Sequence, residues 1–201
     1  QSHASTGLMV FSSLADATAA LPALVAAGYT TIELMDAASL RVAQVQGDAP
    51  DLLRALDVRD HAALLVELQG DSPEAVAGLV VERAPLVSGL PLAAAFEMSS
   101  DSAHRASLWH IRKGLYTAIA GARPSGTTAL LEDIAVPVDR LLPTCERLLE
   151  LFDLHGHENS VILGHAKDGN IHFMLNERFD DPAGLERYVR FTEDMVDLVL
   201  E

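Results

Sequence analysis

The chain has 201 residues, 49% apolar and 21% charged, with a mean hydropathy of +0.20. That is ample material for a packed core and excludes a disordered chain. Lys and Arg number 14 against 29 Asp and Glu, a formal net charge of −15, which argues against nucleic-acid binding and against docking on an anionic membrane surface. No apolar run approaches the ~18 residues of a spanning helix. The single cysteine, Cys145, supplies neither an internal disulfide nor a Cys-based metal site, and a reducing, cytoplasmic compartment is expected.

Residues 1–7 are small and polar and read as a linker or a leftover of cloning, with the domain running over 8–201. Leu8–Phe11 reads as a strand, Ser13 caps a helix to about Ala27, and Gly28 stops it. Tyr29–Met35 alternates as a strand exposed on one face should. Asp36 caps a further helix to about Gln46, with a turn at Gly47-Asp48-Ala49-Pro50 and a brief helix over Asp51–Val58. Ala62–Leu68 is the most apolar strand, and Ser72-Pro73-Glu74 opens the next helix. Leu92–Met98 is expected as a strand, followed by a long helix from Ser100/Asp101 to about Ala120. Leu131–Val136 is a strand, Val138–Leu154 a helix, Ser160–Asn176 a hairpin, and the last helix follows Asp181. That helix reaches Glu201 with neither a glycine cap nor a proline stop, so the domain is expected to be truncated at its C-terminal end. The order of elements predicts an α+β fold of ferredoxin-like βαβ units, an antiparallel sheet with helices mainly on one face. No repeat at a fixed period is visible.

The stretch Gly164-His165-Ala166-Lys167-Asp168-Gly169-Asn170-Ile171-His172 carries the chemistry. Asp-Gly between two β-prone runs signals a tight hairpin. A two-residue loop at Asp168-Gly169, or a four-residue loop from Lys167 to Asn170, places His165 and His172 directly opposite each other, where two imidazoles can reach one divalent ion. One hairpin face then holds His165, Lys167, Asn170 and His172, and the other Ile162, Ala166, Ile171, Phe173 and Leu175. By spacing alone, a solvated face with two cross-strand histidines fits equally well. His155 and His157 read as turn residues, and His61, His104 and His110 show no partner pattern. Arg105, Trp109, Arg112 and Tyr116 share one helical stripe and could form a carboxylate pocket, or a surface stripe of stacked Arg and Trp.

The motif Gly164-His165-x-x-Asp168-Gly169-Asn170-x-His172 resembles the signature of the C-terminal domain of FAD-linked oxidases of the vanillyl-alcohol-oxidase type, which include D-lactate, glycolate and D-2-hydroxyglutarate dehydrogenases. Ile32-Glu33-Leu34-Met35-Asp36, Leu64-Leu65-Val66-Glu67-Leu68-Gln69-Gly70-Asp71, Leu108-Trp109-x-x-Arg112 and Glu132-Asp133-Ile134-Ala135-Val136-Pro137 resemble the same family in the same order. Lys167 and Phe173-Met174-Leu175-Asn176-Glu177-Arg178-Phe179 are most similar to large bacterial members fused to an iron–sulfur part. The resemblance implies a substrate-binding cap domain of an FAD-dependent 2-hydroxy-acid dehydrogenase, with FAD held mainly by a domain absent here. It further implies that His165 and His172 ligate a divalent metal such as Zn, that Arg112 pairs with a substrate carboxylate, and that Asn170 is a second substrate contact. A later Glu-His pair, beyond residue 201, would complete the metal site and accept the proton. Met174 stands where some members carry a substrate-contacting Asn, Tyr116 where members acting on D-2-hydroxyglutarate have Thr, and Leu131 or Glu132 where a Lys is expected, so the substrate stays at the level of a 2-hydroxy acid. Two other classes remain in view. One is a non-catalytic ferredoxin-like module that binds a metal or small acid or serves assembly; the other is a metal-dependent hydrolase.

Overall fold

The computed structural model describes residues 3–47, 49–157, 159–180 and 182–201; Asp48 of the expected turn, Asp181 before the last helix and the first two residues of the expected linker lie outside them. Strand β1 runs His3–Phe11 and pairs along its whole length with β3 (Ala62–Gly70), from His3 opposite Gly70 to Phe11 opposite Ala62. Residues 3–7 are therefore strand, and the expected linker is corrected there. At Gly7 the smallness has a packing cause: a Cβ there would sit 2.6 Å from the Glu97 carbonyl and 2.7 Å from the Phe96 ring. Leu92–Met98, expected as a strand, is instead an irregular strap along the outer edge of β1. The Ala93 N–H donates to Val10 O at 2.8 Å, and Thr6 and Ser99 exchange two bonds of 2.9 Å. Between these points the strap arches over Gly7, which forbids a continuous ladder yet covers an otherwise open edge.

The other strands are β2 (Thr31–Met35), β4 (Thr128–Ala135), β5 (Val161–His165) and β6 (Asn170–Glu177). All pairings are antiparallel, in the order β1-β3-β2-β5-β6-β4. The helices are α1 (Leu14–Ala26), α2 (Ala37–Gln44), α3 (Asp51–Arg54), α4 (Pro73–Ser88), α5 (Ser102–Ala122), α6 (Leu141–His155) and α7 (Pro182–Leu200). The sheet is two copies of one plan joined at β2–β5. β1-α1-β2 receives β3 between its strands, and β4-α6-β5 receives β6 in the same way. The duplication escapes a search for a fixed period because β2 reaches β3 through α2 and α3, whereas β5 reaches β6 through a short turn.

Helices lie mainly on one face, as expected, and a smaller set covers the other. Met9, Phe11, Ile32, Leu64, Ile162, Ile171 and Phe173 bury one face under α1, α4, α6 and α7; Phe173 packs its ring 5.6 Å from Phe152 and 5.9 Å from Phe191. Leu8, Val10, Met35, Leu65, Leu163 and Met174 bury the second face under α2, α3 and α5. β2 is thus a central strand covered on both sides, and Glu33, expected at a solvent face, is buried.

Ser13, Asp36, Ser72 and Asp101 cap α1, α2, α4 and α5 through their side chains, at the residues expected. Asp36 also reaches across the sheet. It accepts from Ser39 N–H at 2.7 Å and from Ile162 N–H at 3.0 Å, tying β2, β5 and α2 together. Burial pushes its carboxyl up to about 6, against the opposing pull of the Ser39 and Ile162 bonds and Arg41. The folded state then holds this proton more tightly than the unfolded chain, where an aspartate titrates near ~3.9. The contribution favours folding below that value and is lost as pH rises through about 6. Relative to Asp36→Asn, the wild type is expected to lose about 2 kcal/mol of stability between about pH 4 and pH 7. Chemical denaturation at the two pH values measures it, and parallel profiles for the two proteins would contradict it.

The Cys145 thiol is buried in α6, and burial raises its pKa to about 12, which leaves it unreactive. No helix among the described residues is long and apolar enough to cross a membrane.

Candidate functional site

The hairpin histidines meet, but by a different register from the expected one. His165 lies opposite Asn170, and His172 opposite Leu163. The loop is the four residues 166–169: Ala166–Asp168 form one 3-10 turn, and Gly169 alone takes a left-handed φ of 68°. A two-residue turn of the expected kind needs positive φ at both positions, and Asp168 stays right-handed within the 3-10 turn. The slip is two residues, so the parity of the strands survives and both imidazoles remain on one face as diagonal neighbours. Their ring centroids lie 5.2 Å apart, nearly perpendicular. The close approach of β5 to β6 requires Gly164, where a Cβ would meet Asn170 O and Ile171 Cα at 2.6 Å. On the opposite face Ile162, Ala166, Ile171, Phe173 and Leu175 are buried, as the alternation requires.

The polar face extends well beyond the hairpin. Glu33 of β2 pairs in register with His165, and Asp133 of β4 with His172, so both carboxylates share the histidines' face. Glu33 Oε1 lies 2.6 Å from His165 Nδ1, and Asp133 Oδ1 3.2 Å from His172 Nδ1. Asn170 donates from Nδ2 to Asp133 Oδ1 at 2.5 Å and to Ile134 O at 3.1 Å. The His165 side chain is 49% exposed, that of His172 22% and that of Asp133 62%, so the site is open to solvent. Lys167, assigned by alternation to this face, sits in the turn instead and donates to Thr30 O at 3.3 Å.

Helix α5 closes the other side. Arg105, Trp109 and Arg112 do share a stripe, and it presses on the sheet against protein carboxylates. Arg112 donates from Nε and Nη2 to Glu33 Oε2, both at 3.0 Å. Glu67 of β3 accepts from Thr6 at 2.7 Å, Gln69 at 2.8 Å, and Arg105 and Trp109 at 3.0 Å each. Burial alone would raise the Glu67 carboxyl, but these four bonds outweigh it and hold its pKa below the ordinary value. The stripe read from the sequence as a ready-made carboxylate pocket is therefore already occupied by Glu33 and Glu67. Tyr116, its fourth member, is half exposed.

His155 and His157 stand at the α6–β5 junction, outside this site. His155 Nε2 is 2.7 Å from Asp194 of α7, and His157 is buried edge-on against Phe191, so neither is a loose turn residue. Burial holds the His157 pKa below its ordinary value, outweighing the pull of Glu177. Glu33, Glu67 and Asp133 are the members of the site that received no role from the sequence. For Glu33 and Glu67 the signal was available: an acidic side chain inside an apolar strand must find a buried partner, whereas Asp133 is exposed.

His165 has Nδ1 bonded to Glu33, and His172 has Nδ1 3.2 Å from Asp133, so both rings keep Nε2 for a ligand, as metal-binding imidazoles do. His165 and His172 thus fit two positions of a divalent ion's coordination shell. Among the described residues no group of three His, Cys, Asp or Glu is placed to hold a metal ion, so these two do not make a complete site.

The domain is thus an antiparallel α+β unit with two imidazoles and an amide on one sheet face, beside a helix whose guanidinium groups pair with buried carboxylates. The chain belongs to the family of FAD-linked oxidase C-terminal domains, whose model matches residues 1–201. Solved structures share the fold. Alkyldihydroxyacetonephosphate synthase aligns over 98% of this chain with a TM-score of 0.71 at 10% identity. The 4-ethylphenol oxidase of Gulosibacter chungangensis aligns over 98% with a TM-score of 0.63 at 14% identity, and p-cresol methylhydroxylase over 97% with 0.63 at 12%. The chain spans 38% of the synthase and 43% of each of the other two.

Proposed function

We propose that this chain is the substrate-binding domain of an FAD-dependent dehydrogenase that oxidises a 2-hydroxy acid of the D-lactate, glycolate or D-2-hydroxyglutarate type to the 2-oxo acid. The observation that carries the reading is the His165–His172 pair, both rings on one open face, with His165 Nδ1 bonded to Glu33 and His172 Nδ1 3.2 Å from Asp133. Within the family, imidazoles so presented suit an α-hydroxy carboxylate. When bound, the flavin supplies hydride acceptance and a divalent ion such as Zn supplies Lewis acidity toward the substrate hydroxyl.

This chain's own residues bind and orient. Nε2 of His165 and of His172 would hold the ion. Arg112 spends Nε and Nη2 on Glu33, which leaves Nη1 to meet one oxygen of the substrate carboxylate. Asn170 spends its amide N–H groups on Asp133 and Ile134, which leaves Oδ1 to accept from substrate. The resemblance puts the base that takes the hydroxyl proton in a Glu-His pair following residue 201 and the FAD contacts on a separate domain, and leaves the electron acceptor open, an iron–sulfur part of the same protein being one.

The test is anaerobic reduction of the full-length flavoprotein by a panel of 2-hydroxy acids, including lactate, glycolate and 2-hydroxyglutarate. Bleaching of the oxidised flavin by at least one of them is expected. A flavin that none of them reduces, while the protein binds small acids without turnover, would establish the non-catalytic module instead.

A further inference from the structure

Glu33 serves two donors with one carboxylate. Its side chain is 6% exposed, with Oε2 taking Nε and Nη2 of Arg112 and Oε1 taking His165 Nδ1. Glu67, the neighbouring buried carboxylate, is bonded by Thr6, Gln69, Arg105 and Trp109 and touches no imidazole. Helix α5 is thus pinned to the sheet by two similar ion pairs, of which only one also grips a histidine.

A carboxylate can only accept, so the nitrogen facing Glu33 must carry the proton, and a neutral His165 is bare at Nε2. Arg112 is what prevents any other arrangement. A guanidinium has no acceptor, so whatever group stands at position 33 must turn an oxygen toward it. An ionised carboxylate has a second oxygen left for His165; an amide does not. In Glu33→Gln, Arg112 claims the amide oxygen and the NH₂ group faces Nδ1. His165 must then accept at Nδ1 and carry its proton on Nε2, the atom that would ligate. Remove the guanidinium as well, and the amide is free to rotate its oxygen back to Nδ1–H.

We propose that Glu33 is a positioning residue that sets the tautomer of His165, and that Arg112 enforces the setting by fixing which way position 33 faces. The consequence for metal binding rests on the proposed role of His165 as a ligand; the tautomer itself does not.

The test reads the ring nitrogens directly, by long-range ¹H–¹⁵N correlation on labelled, metal-free protein at about pH 8, where imidazole is neutral, with His165 assigned through His165→Gln. The wild type is expected to show the Nδ1–H form and Glu33→Gln the Nε2–H form. Glu33→Gln/Arg112→Met is expected to return to Nδ1–H, and Glu67→Gln to match the wild type. The double variant carries no unpaired buried charge, so a folded protein is at hand even if Glu33→Gln proves unstable. Zn²⁺ alone, added to these samples, should shift both His165 and His172 in the wild type but only His172 in Glu33→Gln. An Nε2–H form in the wild type, an unchanged tautomer in Glu33→Gln, or an equal change in Glu67→Gln overturns the proposal. Zn²⁺ that moves neither histidine of the wild type, with the tautomer pattern intact, overturns the ligand role and leaves the positioning role standing.

Discussion

Alanine at His165 is expected to slow flavin reduction in the full-length enzyme by roughly 10²–10³-fold, the scale of losing one preorganised charge-stabilising contact, while the protein stays folded. The side chain is half exposed, and its removal leaves Glu33 still paired with Arg112, so no buried charge is stranded. His172→Ala should cost a similar factor. The informative result is the double variant. If the two imidazoles act on one ion they form a unit, and losing both should cost little more than losing either. Losses that multiply would assign the two rings separate tasks and remove the reason for placing a metal between them. Anaerobic stopped-flow gives the rates, and a thermal melt of each variant shows that the fold is unchanged.

Stability should respond most at Glu67. Glu67→Ala strips the partner from Arg105, the Trp109 N–H and Thr6 at once, and breaking a buried pair from one side costs about 3–5 kcal/mol. Glu67→Gln keeps an acceptor and the shape and is expected to cost less, about 1–3 kcal/mol. The lowered carboxyl pKa sets the sign of the pH effect. A group held below its unfolded value adds stability above that value and loses it as pH falls through the folded pKa. The wild-type advantage over Glu67→Gln should therefore shrink in acid, below the ordinary glutamate value of ~4.3. Trp109 is the only tryptophan and is bonded to Glu67, so its fluorescence reports the same event. An advantage that grows in acid would mean that desolvation, not the four bonds, governs this carboxylate.

These contacts separate local information from long-range information. The caps at Ser13, Asp36, Ser72 and Asp101 act within three residues of themselves, and each was readable from the chain. The shared face of His165 and His172 was readable too, because strand alternation is local and a slip of two residues leaves it intact. The register itself was not, since one 3-10 turn against one tight turn is a small energetic difference decided by how the loop packs. Arg112 shows the limit more sharply. Its stripe was visible, yet its partner Glu33 lies 79 residues earlier on a strand that the alternation placed at the solvent.

By itself, the order of residues determined an α+β chain, where most helices begin, and a hairpin with two histidines on one side. The tertiary structure alone decided that residues 3–7 are strand, that Leu92–Met98 is a strap, that both sheet faces are covered, and that Arg112 and Trp109 hold protein carboxylates before they can hold any ligand. The reason is physical. Capping and alternation are settled by neighbours a few bonds away, whereas the charge a side chain meets depends on which strands the sheet brings beside it, and on how much water the helices above have removed.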